Sequence, residues 1–157
     1  MPFEYADSVA QERASAAFPL WLSEGLPDVL AQMVAAETGF SEGDVFAVGG
    51  LARADSTCAA RLAASARREE ILEKVGGQGR LMALFTTERG DVAPVFYACS
   101  QAFAKFLTDR VGVAGMVGLF PHIPDGTWQN VLAASAGQPL AELRRRWLDR
   151  LPPSGGS

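Results

Sequence analysis

The sequence predicts a compact, mostly all-α domain of several helices, on three observations. Apolar residues recur at three- and four-residue spacing through most of the chain instead of alternating. Alanine-rich runs such as Cys58 to Ala66 favour helix intrinsically. Proline and glycine punctuate the apolar periods where helices would start and stop.

Taken in order, a short first helix is expected from about Phe3 to Ala16, ending before Pro19. A second starts at Pro19, which suits a first helical turn, and sends Leu22, Leu26, Val29, Leu30 and Met33 to the core until Gly39, with Pro27 expected to bend it. Residues 40–53 contain Gly43, Gly49 and Gly50 and read as a loop with an edge element around Val45 to Val48. Asp55 or Ser56 is placed to cap a third helix running through Arg61, Arg67 and Leu72 to Gly76-Gly77. After a turn bearing Leu81, Leu84 and Phe85 and a polar stretch from Thr86 to Asp91, Pro94 opens the clearest helix. Phe96, Cys99, Phe103, Phe106 and Leu107 share one face of it, and Gln101, Lys105, Thr108 and Asp109 fall largely on the other. Gly112 is expected to end that helix, and Val113 to Phe120 to form a short one. Asp125 then caps a helix carrying Trp128, Val131 and Leu132 up to Gly137. Pro139 begins the last, with Leu140, Leu143, Trp147 and Leu151 inward and Arg144, Arg145 and Arg150 toward solvent. This gives one domain over 1–151 and a disordered tail over 152–157.

Composition narrows the function classes. At 157 residues the chain is long enough to bury a core, and 48% hydrophobic against 20% charged residues argues for folding over disorder. Its net charge is -4 and its arginines are scattered apart from 144–146, so nucleic acid is a poor partner. The longest uncharged stretch, Val111 to Pro124, is short and interrupted by Gly112, Gly115, Gly118 and Pro121, so no transmembrane segment is expected. Glu4, Asp7 and Glu12 stand where a secretory signal would be basic and then apolar. The expectation is a cytoplasmic protein, or an exported one if the chain is a processed or trimmed form. Cys58 and Cys99 form no metal-ligand cluster; they read as buried thiols, and a disulfide between them would require an oxidising compartment.

The run Phe18-Pro19-Leu20-Trp21-Leu22-Ser23-Glu24-Gly25-Leu26 resembles the proline, tryptophan, serine, glutamate, glycine signature that follows the active-site helix of gluzincin, or peptidase MA-like, zinc metallopeptidases. Tyr97, Ser100, Ala102, Phe103, Phe106, Leu107 and Gly112 fit the long helix behind that active site. Trp128 after Asp125-Gly126, then Gly137-Gln138-Pro139-Leu140 and Trp147, fit its closing helical pair. The resemblance covers about Phe3 to Leu151 and implies the helical half of such an enzyme, with Glu24 at the third zinc-ligand position.

The family also carries His-Glu-x-x-His on a helix, two imidazoles one turn apart with a general-base glutamate between them. The corresponding segment here is Phe3-Glu4-Tyr5-Ala6-Asp7, with sixteen residues between Asp7 and Glu24. Glu4 keeps the general-base position, while Phe3 and Asp7 replace the two histidines. A phenyl ring has no lone pair to donate, so no zinc is expected and no catalysis; Glu4 and Tyr97 are vestigial catalytic positions, and Phe3, Asp7 and Glu24 vestigial ligand positions. Glu4 and Asp7 also read as solvated acids in a first helical turn. A weak calcium or magnesium site with Glu24 is the competing reading. Glu24, beside Trp21 and Leu22, is expected to be partly buried and then hydrogen-bonded, paired with an arginine or protonated, and Tyr97 to be a buried, hydrogen-bonded tyrosine whose hydroxyl could otherwise face the old cleft. His122, between Pro121 and Pro124, falls where the resemblance predicts no ligand. No serine has a histidine partner in a recognisable arrangement, and Gly76-Gly77-Gln78-Gly79 matches no phosphate loop.

The function expected is thus a catalytically inactive, metallopeptidase-like binding or assembly module. Its partner would be another protein or a second copy, on the face left by the family's missing sheet. The alternative is a zinc metallopeptidase whose metal site is atypical or completed from outside the chain.

Overall fold

The computed structural model describes residues 19–39, 51–77 and 92–153. The expected helix over Phe3 to Ala16, the edge element at Val45 to Val48, the turn around Leu81 and the tail beyond residue 153 lie outside them. So do Phe3, Glu4 and Asp7. Among the described residues the fold is all-helical, without a strand. Its elements are α1 (Leu20–Thr38), a 3-10 turn (Leu51–Arg53), α2 (Ala54–Ala63), α3 (Arg68–Lys74), α4 (Val92–Val117), a 3-10 turn (Phe120–His122), α5 (Trp128–Ala136) and α6 (Leu140–Arg150).

Helix α4 is the axis, and α1, α2, α3, α5 and α6 all pack on it. Its apolar face explains this: Phe96, Cys99, Phe103 and Leu107 have no exposed surface. Phe96, Phe103 and Leu107 each contribute roughly 1.5–3 kcal/mol on burial. Around Phe103 the three tryptophans of the chain meet. The Trp21 and Trp147 rings lie 5.0 and 5.1 Å from it, and Trp128 lies 6.1 Å from Trp21. Their tilted arrangement avoids the repulsion of face-to-face rings. Two indole N–H groups are satisfied at long range, Trp21 donating to the Gly77 carbonyl at 3.0 Å and Trp147 to Asp55 at 3.2 Å.

The starts and stops follow local chemistry. Pro19 and Pro139 precede α1 and α6 in extended conformation, and glycines at 39 and 137 close α1 and α5 in the left-handed region. Helix α1 continues through Pro27. Helix α4 begins at Val92, so Pro94 falls within the first turn, where its missing N–H would have had no helical partner. At Gly112, φ 78° and ψ 168° break the helical path, dividing α4 into 92–111 and 113–117 as expected for a stop there.

Several expectations are corrected. The stretch read as one helix from Asp55 to Gly76 is two, because Ser65 intervenes: its N–H reaches back to the Leu62 carbonyl and its hydroxyl accepts from Arg67 N–H at 3.2 Å. Neither Asp55 nor Ser56 caps α2; Arg53 holds the cap position, and Asp55 instead receives Trp147. Asp125 does not cap α5 but folds the preceding turn by accepting from Thr127 N–H and hydroxyl. Thr108 is buried, its hydroxyl returned to the Ala104 carbonyl at 2.7 Å. Arg144 is only partly exposed: it crosses to the Leu72 carbonyl, and burial pulls its guanidinium below its ordinary pKa. Cys58 and Cys99 are not thiols; they are joined by a disulfide between α2 and α4.

Candidate functional site

Of the five positions singled out by the resemblance, the described residues contain Glu24 and Tyr97. They come from the two helices that approach most closely, and Gly25 is the reason for the approach. A Cβ built there would lie 2.3 Å from the carbonyl oxygen of Ser100 and 3.1 Å from the Ala104 Cβ, so only a glycine lets α1 rest on the backbone of α4. Glu24 is the residue before that contact, and Tyr97 lies one helical turn before Ser100.

Glu24 is half-buried, as expected beside Trp21 and Leu22, and has no hydrogen bond or ion pair to another described residue. Asp28 follows it one turn later on the same face, a spacing legible as i,i+4 but not singled out in the sequence. Partial burial raises the Asp28 carboxyl above its ordinary pKa. Tyr97 departs from expectation: it is 43% exposed, its ring edge-on to Phe96 at 6.1 Å. The Ser100 hydroxyl and the Gln32 side-chain carbonyl are buried without a hydrogen-bond partner among the described residues.

His122 lies elsewhere. It ends the 3-10 turn before α5, half-buried, with Nδ1 3.3 Å from the Thr127 hydroxyl. Thr127 in turn donates to Asp125 at 2.6 Å, and these hydrogen bonds, hydroxyl first and then backbone N–H, hold the Asp125 carboxyl below its ordinary pKa. The three residues form a turn lock, each engaged by the next. Among the described residues no three of His, Cys, Asp and Glu come together in a way that could hold a metal ion.

Two further features have no catalytic geometry. A groove of about 330 Å³ lies between α2, α3 and α6, lined by Ala59, Leu62, Leu72, Leu148 and Leu151 with Arg68. The arginine run on α6 is compensated: Arg145 and Arg146 share Glu142, at 2.6 and 3.2 Å, and Arg150 sits 3.4 Å from Asp55 with its guanidinium over the Phe106 ring. Those two arginines keep the Glu142 carboxyl below its usual range. No described helix is long and apolar enough to cross a membrane.

Compared with known proteins, the chain matches no family model, no curated protein and no solved structure.

Proposed function

We propose that the chain is a metallopeptidase-like helical domain without a metal site, working as a non-catalytic binding or assembly module for another protein or a second copy of itself. The reading rests on the gluzincin-like order of residues from Phe18 to Trp147. The loss of catalysis rests on one observation, the place of His122. The chain has a single histidine. It is engaged by Thr127 ahead of α5, while the glutamate at the third-ligand position stands on α1 at the Gly25 contact.

Catalytic zinc takes three protein ligands, with imidazole prominent among them. With Phe3 and Asp7 at the histidine positions, the donor set does not fit zinc. An aromatic hydrocarbon donates nothing, and two carboxylates make a poor site for a borderline-soft ion. No hydrolytic step follows from such a set. What the chain does offer a partner is apolar surface in single residues on α1 and α4: Val34 is 59% exposed, and Tyr97, Val113 and Val117 are exposed as well. Tyrosine is among the residues enriched at interfaces.

Elemental analysis of the purified full chain after dialysis against zinc tests this, together with a casein digestion assay. The expected result is trace metal and no chelator-sensitive cleavage, with light scattering showing self-association if a second copy is the partner. The double change Phe3→His with Asp7→His is expected to confer zinc uptake. Stoichiometric zinc in the unmodified chain, with cleavage abolished by chelator, overturns the reading, and a double variant that takes up no zinc undoes the alignment beneath it.

A further inference from the structure

The Cys58–Cys99 bond connects two parts of the molecule that are built differently. The aromatic cluster of Trp21, Phe103, Phe106, Trp128 and Trp147 comes entirely from α1, α4, α5 and α6. Helices α2 and α3 contribute no ring to it. They are ten and seven residues long, and isolated helices of that length are marginal in water, so their position depends on what holds them. Besides Ala54, Cys58, Leu62, Ile71 and Val75 in the core and the Arg150–Asp55 pair, the ties include four hydrogen bonds. Arg61 reaches the Pro94 carbonyl at 2.9 Å, Trp147 reaches Asp55, Arg144 reaches Leu72 and Trp21 reaches Gly77. The disulfide is the covalent tie, spanning 41 residues, with both cysteines fully buried.

We propose that this disulfide is an oxidation-gated lock: the α1, α4, α5, α6 cluster forms with or without it, and closing it fixes the α2–α3 layer onto α4. In the reduced chain the thiolate of one cysteine attacks a low-molecular-weight disulfide such as glutathione disulfide. A mixed disulfide forms and one glutathione thiolate leaves. The second cysteine thiolate then attacks the protein-bound sulfur, the Cys58–Cys99 bond forms and the second glutathione leaves. Two electrons pass to glutathione and the two thiol protons to solvent. Once closed, the sulfurs are shielded, so a reductant meets them only when the layer opens. The locked form therefore belongs to an oxidising compartment, against the cytoplasmic expectation drawn from the N-terminal residues. This inference stands apart from the metallopeptidase-like reading and uses none of its residues.

Hydrogen exchange of the full chain, read by mass spectrometry before and after reduction with dithiothreitol, tests the lock. A Cys58→Ala, Cys99→Ala double variant serves as the form that cannot reoxidise. The expected result is exchange on the order of a hundredfold faster in α2 and α3 after reduction. Exchange in α1, α4, α5 and α6 is expected to stay within severalfold, and glutathione disulfide to restore protection in the reduced chain but not in the variant. Unchanged exchange in α2 and α3 overturns the proposal. A uniform rise across all helices, or a double variant as protected as the oxidised chain, does so as well.

Discussion

Replacing Gly25 with alanine sets two opposed effects against each other, and the structure says which wins. In an exposed helix interior the change would stabilise, since alanine is better than glycine by about 1 kcal/mol. Here the new methyl would sit 2.3 Å from the Ser100 oxygen and 2.7 Å from its carbonyl carbon. Carbon–oxygen contacts are ordinarily about 3.3 Å or more, so α1 must retreat by about 1 Å along the seam. The obstacle is backbone inside a helix, which cannot rotate away as a side chain would. Overpacking of that kind costs about 1–3 kcal/mol, and a rigid obstacle places it at the upper end. The net is a loss of about 2 kcal/mol, which in a domain of this size lowers the melting temperature by about 4–8 °C. Thermal and urea unfolding of the two proteins, followed by circular dichroism, measure it. A Gly25→Ala protein that melts at or above the parent would refute the close approach of α1 to α4, and with it the placing of Glu24 at that seam.

Trp147→Phe removes the donor to Asp55 and part of a fully buried ring, and unfolding is expected to show a loss of about 2 kcal/mol. For Asp28 the sign follows from its raised pKa: the folded state holds the proton more tightly than the unfolded one, so stability declines as pH rises through the window above the ordinary aspartate value. Asp28→Asn should therefore match the parent below about pH 4 and exceed it near neutrality, by only a few tenths of a kcal/mol because the group is largely exposed. Denaturation midpoints at acid and neutral pH check this, and a variant less stable at pH 7 than at pH 4 relative to the parent contradicts it.

The helices were legible where local chemistry settles them. Pro19, Pro139, Gly39 and Gly137 mark ends by what their own backbones permit, and the apolar spacing of α4 announces the face that became the core. Long-range partners were not legible. Nothing near Asp55 tells that it will receive an indole from Trp147 instead of capping a helix, and nothing near Arg144 tells of the Leu72 carbonyl. Spacing puts Cys99 on an inward face of α4, but which inward faces meet is a tertiary fact, and so spacing alone reads as two buried thiols. The Ser65 break had a visible signal, a hydroxyl residue able to compete for backbone groups within an alanine-rich run. At the candidate site, the half-burial of Glu24 was legible from its neighbours. The exposure of Tyr97 was not, because its place beside Phe96 matches the inward stripe by residue type alone.

The contribution of α6 bears on how the chain is made. Synthesis runs from the amino end, and segments collapse as they leave the ribosome. Until residues 140–150 emerge, a nascent chain has Phe103 open on the side that Trp147 will cover, Asp55 without its indole and the Leu72 carbonyl without its guanidinium. The polypeptide therefore waits, apolar rings showing, for its last described helix. That interval is when a chaperone would find most to hold.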